Sequence, residues 1–67
     1  MIATDNILAD LRKDAGYSQQ ALADFLGVSR QTIISIEKGR FDPSLPLAFA
    51  ISRTFGKKIE EIFMPNI

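Results

Sequence analysis

Apolar positions along this chain recur at intervals of three and four, and the recurrences end at glycines. Ile7, Leu8, Leu11 and Ala15 keep helical spacing, and Gly16 follows as a helix terminator. Ser18 is placed to cap a second helix, with Leu22, Phe25 and Leu26 on one face and Gly27 at its end. Ser29 caps a third helix over roughly residues 29–38, carrying Ile33 and Ile36 and stopped by Gly39. Asp42-Pro43-Ser44 reads as a turn followed by a cap. Pro46 is tolerated in the first turn of a fourth helix, whose stripe is Leu47/Ala48, Ile51 and Phe55, with Gly56 after it. Ile59, Ile62 and Phe63 predict a short fifth helix stopped by Pro65. The pattern predicts an all-α domain of five short helices.

The link between helices two and three is the informative one. Only Gly27 and Val28 separate Leu26 from the cap Ser29. A turn this short, with glycine in it, makes two helices cross steeply, which is the helix-turn-helix arrangement. A helical hairpin in a small bundle has the same spacing, so spacing alone leaves both open.

A helical wheel of the third helix sharpens the choice. With Ile33 toward the core and about 100° per residue, Ile36 and Glu37 fall on the buried side. Gln31, Ser35 and Lys38 fall opposite, with Arg30 and Thr32 flanking. The outward stripe therefore holds amide, hydroxyl and ammonium groups and no carboxylate. Gln pairs bidentately with adenine, Arg with guanine, and Ser or Thr with either base. A solvated face with no partner would more often mix in Glu or Asp. Glu37 is the odd residue, because a carboxylate buried without a partner costs several kcal/mol. Arg12 flanks the apolar face of helix one beside Leu8 and Leu11, and its planar fork can satisfy both carboxylate oxygens. An Arg12–Glu37 pair would brace helix one against helix three. The alternative is a Glu37 that reaches solvent at the helix end and pairs with nothing.

Composition narrows the chemistry. Sixty-seven residues fit one domain, taken here as 1–67, and a chain this short is marginally stable alone. There is no cysteine and no histidine. That excludes disulfides, thiolate metal sites and the usual acid–base catalyst, and leaves oligomerisation as the stabilising aid. Glu60 and Glu61 are adjacent, so on a helix they point about 100° apart and read as solvated surface rather than a catalytic pair. Asp5 and Asp10 have no metal-ligand spacing, and the serines have no histidine partner. Neither an enzyme nor a metal, cofactor or small-molecule ligand is expected. No apolar run approaches the roughly 18 residues of a membrane span, and residues 1–5 carry no signal-peptide pattern, so a cytoplasmic, nucleoid-associated protein is expected. Net charge is zero, but its distribution is uneven. Residues 29–41 carry Arg30, Lys38 and Arg40 against Glu37, a net +2. Residues 1–28 carry four aspartates against Arg12 and Lys13, a net −2.

The segment from Ser18 to Gly39 resembles the helix-turn-helix of phage Cro and C1 repressors, also called the xenobiotic-response-element type. The matching pieces are Ser18-Gln19, Leu22-Ala23, Leu26-Gly27-Val28-Ser29 and Ile36-Glu37-Lys38-Gly39. Leu11-Arg12, Asp42-Pro43-Ser44-Leu45 and Ile59-Glu60-Glu61-Ile62-Phe63 extend the likeness to roughly residues 5–63. The resemblance implies a five-helix, lambda-repressor-like DNA-binding domain. Gln19 matches a residue that touches a DNA phosphate, Arg30 and Gln31 match the base-reading start of the recognition helix, and Ser35 matches a reading position one turn on. Arg12 and Glu37 match a structural ion pair. With the basic island added, the expected DNA-contacting set is Gln19, Ser29, Arg30, Gln31, Thr32, Ser35, Lys38 and Arg40. Ile34 departs from close relatives, which often have a polar residue there; it either meets a thymine methyl or is neutral surface.

The implied function is that of a transcriptional regulator, a repressor, binding an inverted-repeat operator in double-stranded DNA as a homodimer. The expected dimer surface is the apolar C-terminal end, Phe63, Met64 and Ile67, with Phe49 or Ile59 adjoining. Met1-Ile2-Ala3 is a candidate strand beside residues 63–64, as in some minimal relatives, its length limited by Pro65. The alternative is that Phe63 closes the monomer core and residues 64–67 are left to fray. A second function class remains: a protein-interaction module of the same fold, antitoxin-like or an anti-repressor partner. Acidic or bulky apolar residues at positions 30, 31 and 35 would have favoured it.

Overall fold

The structure, a computed structural model, describes residues 5–64. Among them, five helices lie between two short strands. Strand β1 is Asp5–Asn6, followed by α1 (Leu8–Asp14), α2 (Gln19–Leu26), α3 (Arg30–Glu37), α4 (Leu45–Phe55), α5 (Ile59–Ile62) and strand β2 (Phe63–Met64). β1 and β2 pair antiparallel, Asp5 opposite Met64 and Asn6 opposite Phe63.

Three serines start three helices in the same way. The hydroxyls of Ser18, Ser29 and Ser44 accept from the backbone N–H groups of Ala21, Thr32 and Leu47. Each satisfies one of the donors that a helix start leaves without an intrahelical partner. Helix α5 uses a different device: the Glu61 carboxylate accepts from the Lys58 backbone N–H at 2.8 Å. Glu61, expected to be solvated surface, is exposed and also holds the start of this one-turn helix.

Leu8, Leu22, Ala23, Ile33, Ile36, Ala48, Ile51, Ile62 and Phe63 form the core, one or two residues from each helix and one from β2. Leu11, Tyr17, Leu26, Val28, Leu47, Phe55 and Ile59 pack around it. Two sequence expectations are corrected here. Phe25, expected on the core face of α2, is 63% exposed. The buried arc of α2 is centred among Leu22, Ala23 and Leu26, and Phe25 lies roughly 100° from that centre. Its ring rests instead near Tyr17, with centroids 6.1 Å apart. Phe63, expected on a dimer surface, is 7% exposed and belongs to the monomer's own core.

Helix α5 ends at Ile62 because Phe63 turns extended, with φ −112° and ψ 114°, to pair with β1. Pro65, expected as its terminator, and Ile67 lie outside the described residues, as does the candidate strand Met1-Ile2-Ala3. The strand that lies beside residues 63–64 is Asp5–Asn6.

Candidate nucleic-acid interface

The turn between α2 and α3 is set by one glycine. Gly27 has φ +73°, a conformation that costs an L side chain but not glycine. This left-handed residue lets the Val28 N–H bond the Ala23 carbonyl at 3.0 Å, the longer bond of a Schellman cap. Val28 packs against the core, and Ser29 immediately starts α3. Helix α3 is thereby held against α2 by Ile33 and Ile36, both fully buried.

That packing decides what α3 presents outward. Ser29, Arg30, Gln31, Lys38 and Arg40 are exposed, and Thr32, Ile34 and Ser35 are half-buried. The Gln31 amide donates to the Ser35 hydroxyl at 3.3 Å, so these two predicted reading residues lie side by side one turn apart. The Ser29 and Thr32 hydroxyls bond each other at 2.9 Å, and Ser29 also caps the helix. Both therefore have local partners as well as a place at the helix start. Neither α2 nor α3 carries an acidic residue in its first turn, so the positive ends of both helix dipoles are open to anions.

Behind this face, three helices converge on one carboxylate. Glu37 Oε2 accepts from Arg12 Nε at 2.6 Å, and Oε1 accepts from Arg12 Nη2 at 3.3 Å. Oε1 also accepts from the Gln19 amide at 3.1 Å. The Arg12 and Glu37 side chains are 10% and 7% exposed, so the pair is largely desolvated. Arg12 Nη1 further donates to the Tyr17 carbonyl at 2.9 Å. Gln19 thus has a structural bond that its sequence position did not reveal. It joins the first turn of α2 to the last turn of α3 and leaves its amide oxygen and second N–H for other partners.

One further residue at this site escaped the sequence reading. The Asn6 amide donates to the Ile36 carbonyl at 2.8 Å, and its oxygen accepts from the Leu8 N–H at 3.1 Å. The bond to the Leu8 N–H two residues on is an Asx turn, a local signal of Asn just before a helix. The bond to Ile36 spans thirty residues and has no local signal.

A family model described as helix-turn-helix matches residues 8–62, most of the chain. The chain belongs to the Cro/C1-type helix-turn-helix family. Members of this family are DNA-binding transcriptional regulators. The chain is 66% identical over 47 residues to an uncharacterized HTH-type transcriptional regulator of Methanocaldococcus jannaschii, covering 70% of this chain and 71% of that one. It is 49% identical over 59 residues to another such regulator, of Methanothermobacter thermautotrophicus, covering 87% of this chain and 86% of that one. The fold matches the restriction-modification controller protein C.AhdI from Aeromonas hydrophila with a TM-score of 0.70 and 28% identity, covering 81% of this chain and 82% of that one. In the Cro/C1-type frame, α2 and α3 are the helix-turn-helix pair. Among the described residues no group of three His, Cys, Asp or Glu side chains could hold a metal ion. No helix among them is long and apolar enough to cross a membrane.

Proposed function

We propose that this Cro/C1-type protein is a sequence-specific repressor that binds an inverted repeat in double-stranded DNA as a homodimer. The observation that carries the reading is the outward face of α3. Arg30, Gln31 and Ser35 can reach base edges, no carboxylate interrupts them, and Lys38 and Arg40 add exposed positive charge just past the end of the helix. In this reading α3 lies in the major groove, and the starts of α2 and α3 meet phosphates through free backbone N–H groups. Gln19, Ser29 and Thr32 sit at those starts. The protein works where the DNA is, in the cytoplasm at the nucleoid, and performs no catalysis.

One recognition helix touches too few base pairs to single out an operator, which is the reason for two copies. Two-fold symmetry sets half-site centres about one helical turn apart, roughly 10 bp. With Phe63 taken into the monomer core, the pairing surface rests on apolar side chains that the fold leaves exposed. Leu45 and Phe49 stand one turn apart on α4 at 65% and 49% exposure, and Met64 on β2 is 39% exposed. Ile59, which packs against the core, contributes less.

Gln31→Ala tests the reading role. It is expected to lose about 1–3 kcal/mol of preference for one base pair while binding to scrambled duplex is little changed. Titration of both duplexes at one fixed salt concentration checks it. Equal loss on the two would show that Gln31 is not a reader.

A further inference from the structure

Asn6 stands where the terminal ribbon meets the last turn of the recognition helix. Its backbone lies in β1 opposite Phe63, and the next residue, Ile7, donates its N–H to the Ile62 carbonyl at 3.0 Å. Its side chain faces two helices with its two polar atoms. The oxygen accepts from Leu8 N–H at the start of α1, and the nitrogen donates to the carbonyl of Ile36 in α3. Ile36 O also accepts from the Gly39 N–H at 3.0 Å. A carbonyl in a last helical turn has no intrahelical donor of its own, so these two bonds complete it. Ile36 adjoins Glu37, which Arg12 and Gln19 already hold. The C-terminal end of α3 is therefore fixed by three side chains from three elements. Its other end, with Arg30 and Gln31, is exposed.

We infer that Asn6 is a positioning residue for base reading: through the Ile36 carbonyl it sets the direction in which α3 points and ties that direction to the β1–β2 ribbon. The inference rests on the proposed reading of DNA by α3. Leverage is what makes one bond matter. An eight-residue helix is about 12 Å long, so a tilt of about 5° at its held end moves the reading end by about 1 Å. A displacement of that size is enough to spoil a bidentate bond to a base edge.

The two atoms of the amide allow the role to be separated from the local turn bond to Leu8. Asn6→Asp keeps an oxygen for Leu8 N–H and replaces the donor to Ile36 with a second carboxylate oxygen. Asn6→Ser keeps a hydroxyl oxygen for the local turn bond to Leu8 N–H and, being a shorter side chain with no amide nitrogen, withdraws the Nδ2 donor from Ile36 O without adding charge. Two readouts are needed on these variants and the wild-type chain. The first is the orientation of α3 relative to α1 and α4 in the free protein, from residual dipolar couplings. The second is the ratio of affinities for preferred and scrambled duplex, measured well below the melting temperature of each variant. The expected result is a reoriented α3 and a ratio reduced about tenfold, with scrambled-duplex affinity changed less than about twofold. The serine variant, should the aspartate one fail to fold, carries the same expectation. A lowered melting temperature with α3 unmoved and the ratio intact would overturn the inference and leave Asn6 as a residue that only stabilises the fold. A wild-type chain that bound both duplexes equally would overturn the DNA reading beneath it, whatever α3 did in the variants.

Discussion

Replacing Arg12 with methionine is expected to remove about 3–5 kcal/mol of folding stability, the range for breaking a buried ion pair from one side. The expectation follows from what the guanidinium touches. Its side chain is 10% exposed, it makes two bonds to a Glu37 carboxylate that is 7% exposed, and it satisfies the Tyr17 carbonyl as well. Methionine fills much of the same volume and supplies none of these donors. The Gln19 amide remains on Glu37 Oε1, but a single neutral donor does not replace a cation. Domains of 67 residues have about 3–10 kcal/mol of stability in all, so this variant should be close to unfolded at 37 °C. The double variant Arg12→Met, Glu37→Leu removes the stranded charge and should recover part of the loss. Denaturant titration of the two single variants and the double variant checks this. Losses that simply add would mean the two residues are energetically independent despite their geometry.

Phe63→Ala is expected to cost about 3–5 kcal/mol, as for a large aromatic side chain deleted from a core. Phe63 is 7% exposed and belongs to the single core cluster of the described residues. The paired change Leu45→Gln, Phe49→Gln on α4 should behave oppositely. Both side chains are about half exposed or more, so folding stability should shift by no more than about 1 kcal/mol. Self-association, in contrast, should weaken if α4 carries the pairing surface. Melting curves and sedimentation equilibrium separate the two effects. A Phe63→Ala variant that melted normally would contradict the core assignment. An α4 variant that remained dimeric at the wild-type concentration would remove that surface from the proposal.

The contrast between Phe63 and Phe49 shows where sequence reasoning stops. Periodicity located the helices because each start and stop is a local event: Ser18, Ser29 and Ser44 bond a backbone N–H three residues on. Gly16, Gly27, Gly39 and Gly56 all adopt positive φ at helix ends. The outward stripe of α3 was legible for the same reason, since Ile33 and Ile36 fix which side is buried. The wheel and the lone core-side carboxylate point to Arg12 and Glu37 but are equally compatible with a solvent-facing Glu37, and the 2.6 Å bond between the two side chains decides for the pair. Surplus apolar residues were a different problem. In a chain with 46% hydrophobic residues, periodicity cannot say which of Phe25, Phe49 and Phe63 the core has room for. That depends on how helices distant in sequence close on one another. A short terminal ribbon beside residues 63–64 is legible in the sequence, but not Asp5–Asn6 as its strand nor the Asn6 side chain bond, because their partners lie thirty or more residues away.

Selection from a random duplex pool with the wild-type chain tests the central claim most directly. Sequence-specific reading by α3 of a paired protein predicts enrichment of one motif, an inverted repeat with half-site centres about 10 bp apart. A pool that the protein retains at low salt, yet that stays random at every position round after round, would show only phosphate binding and contradict the account.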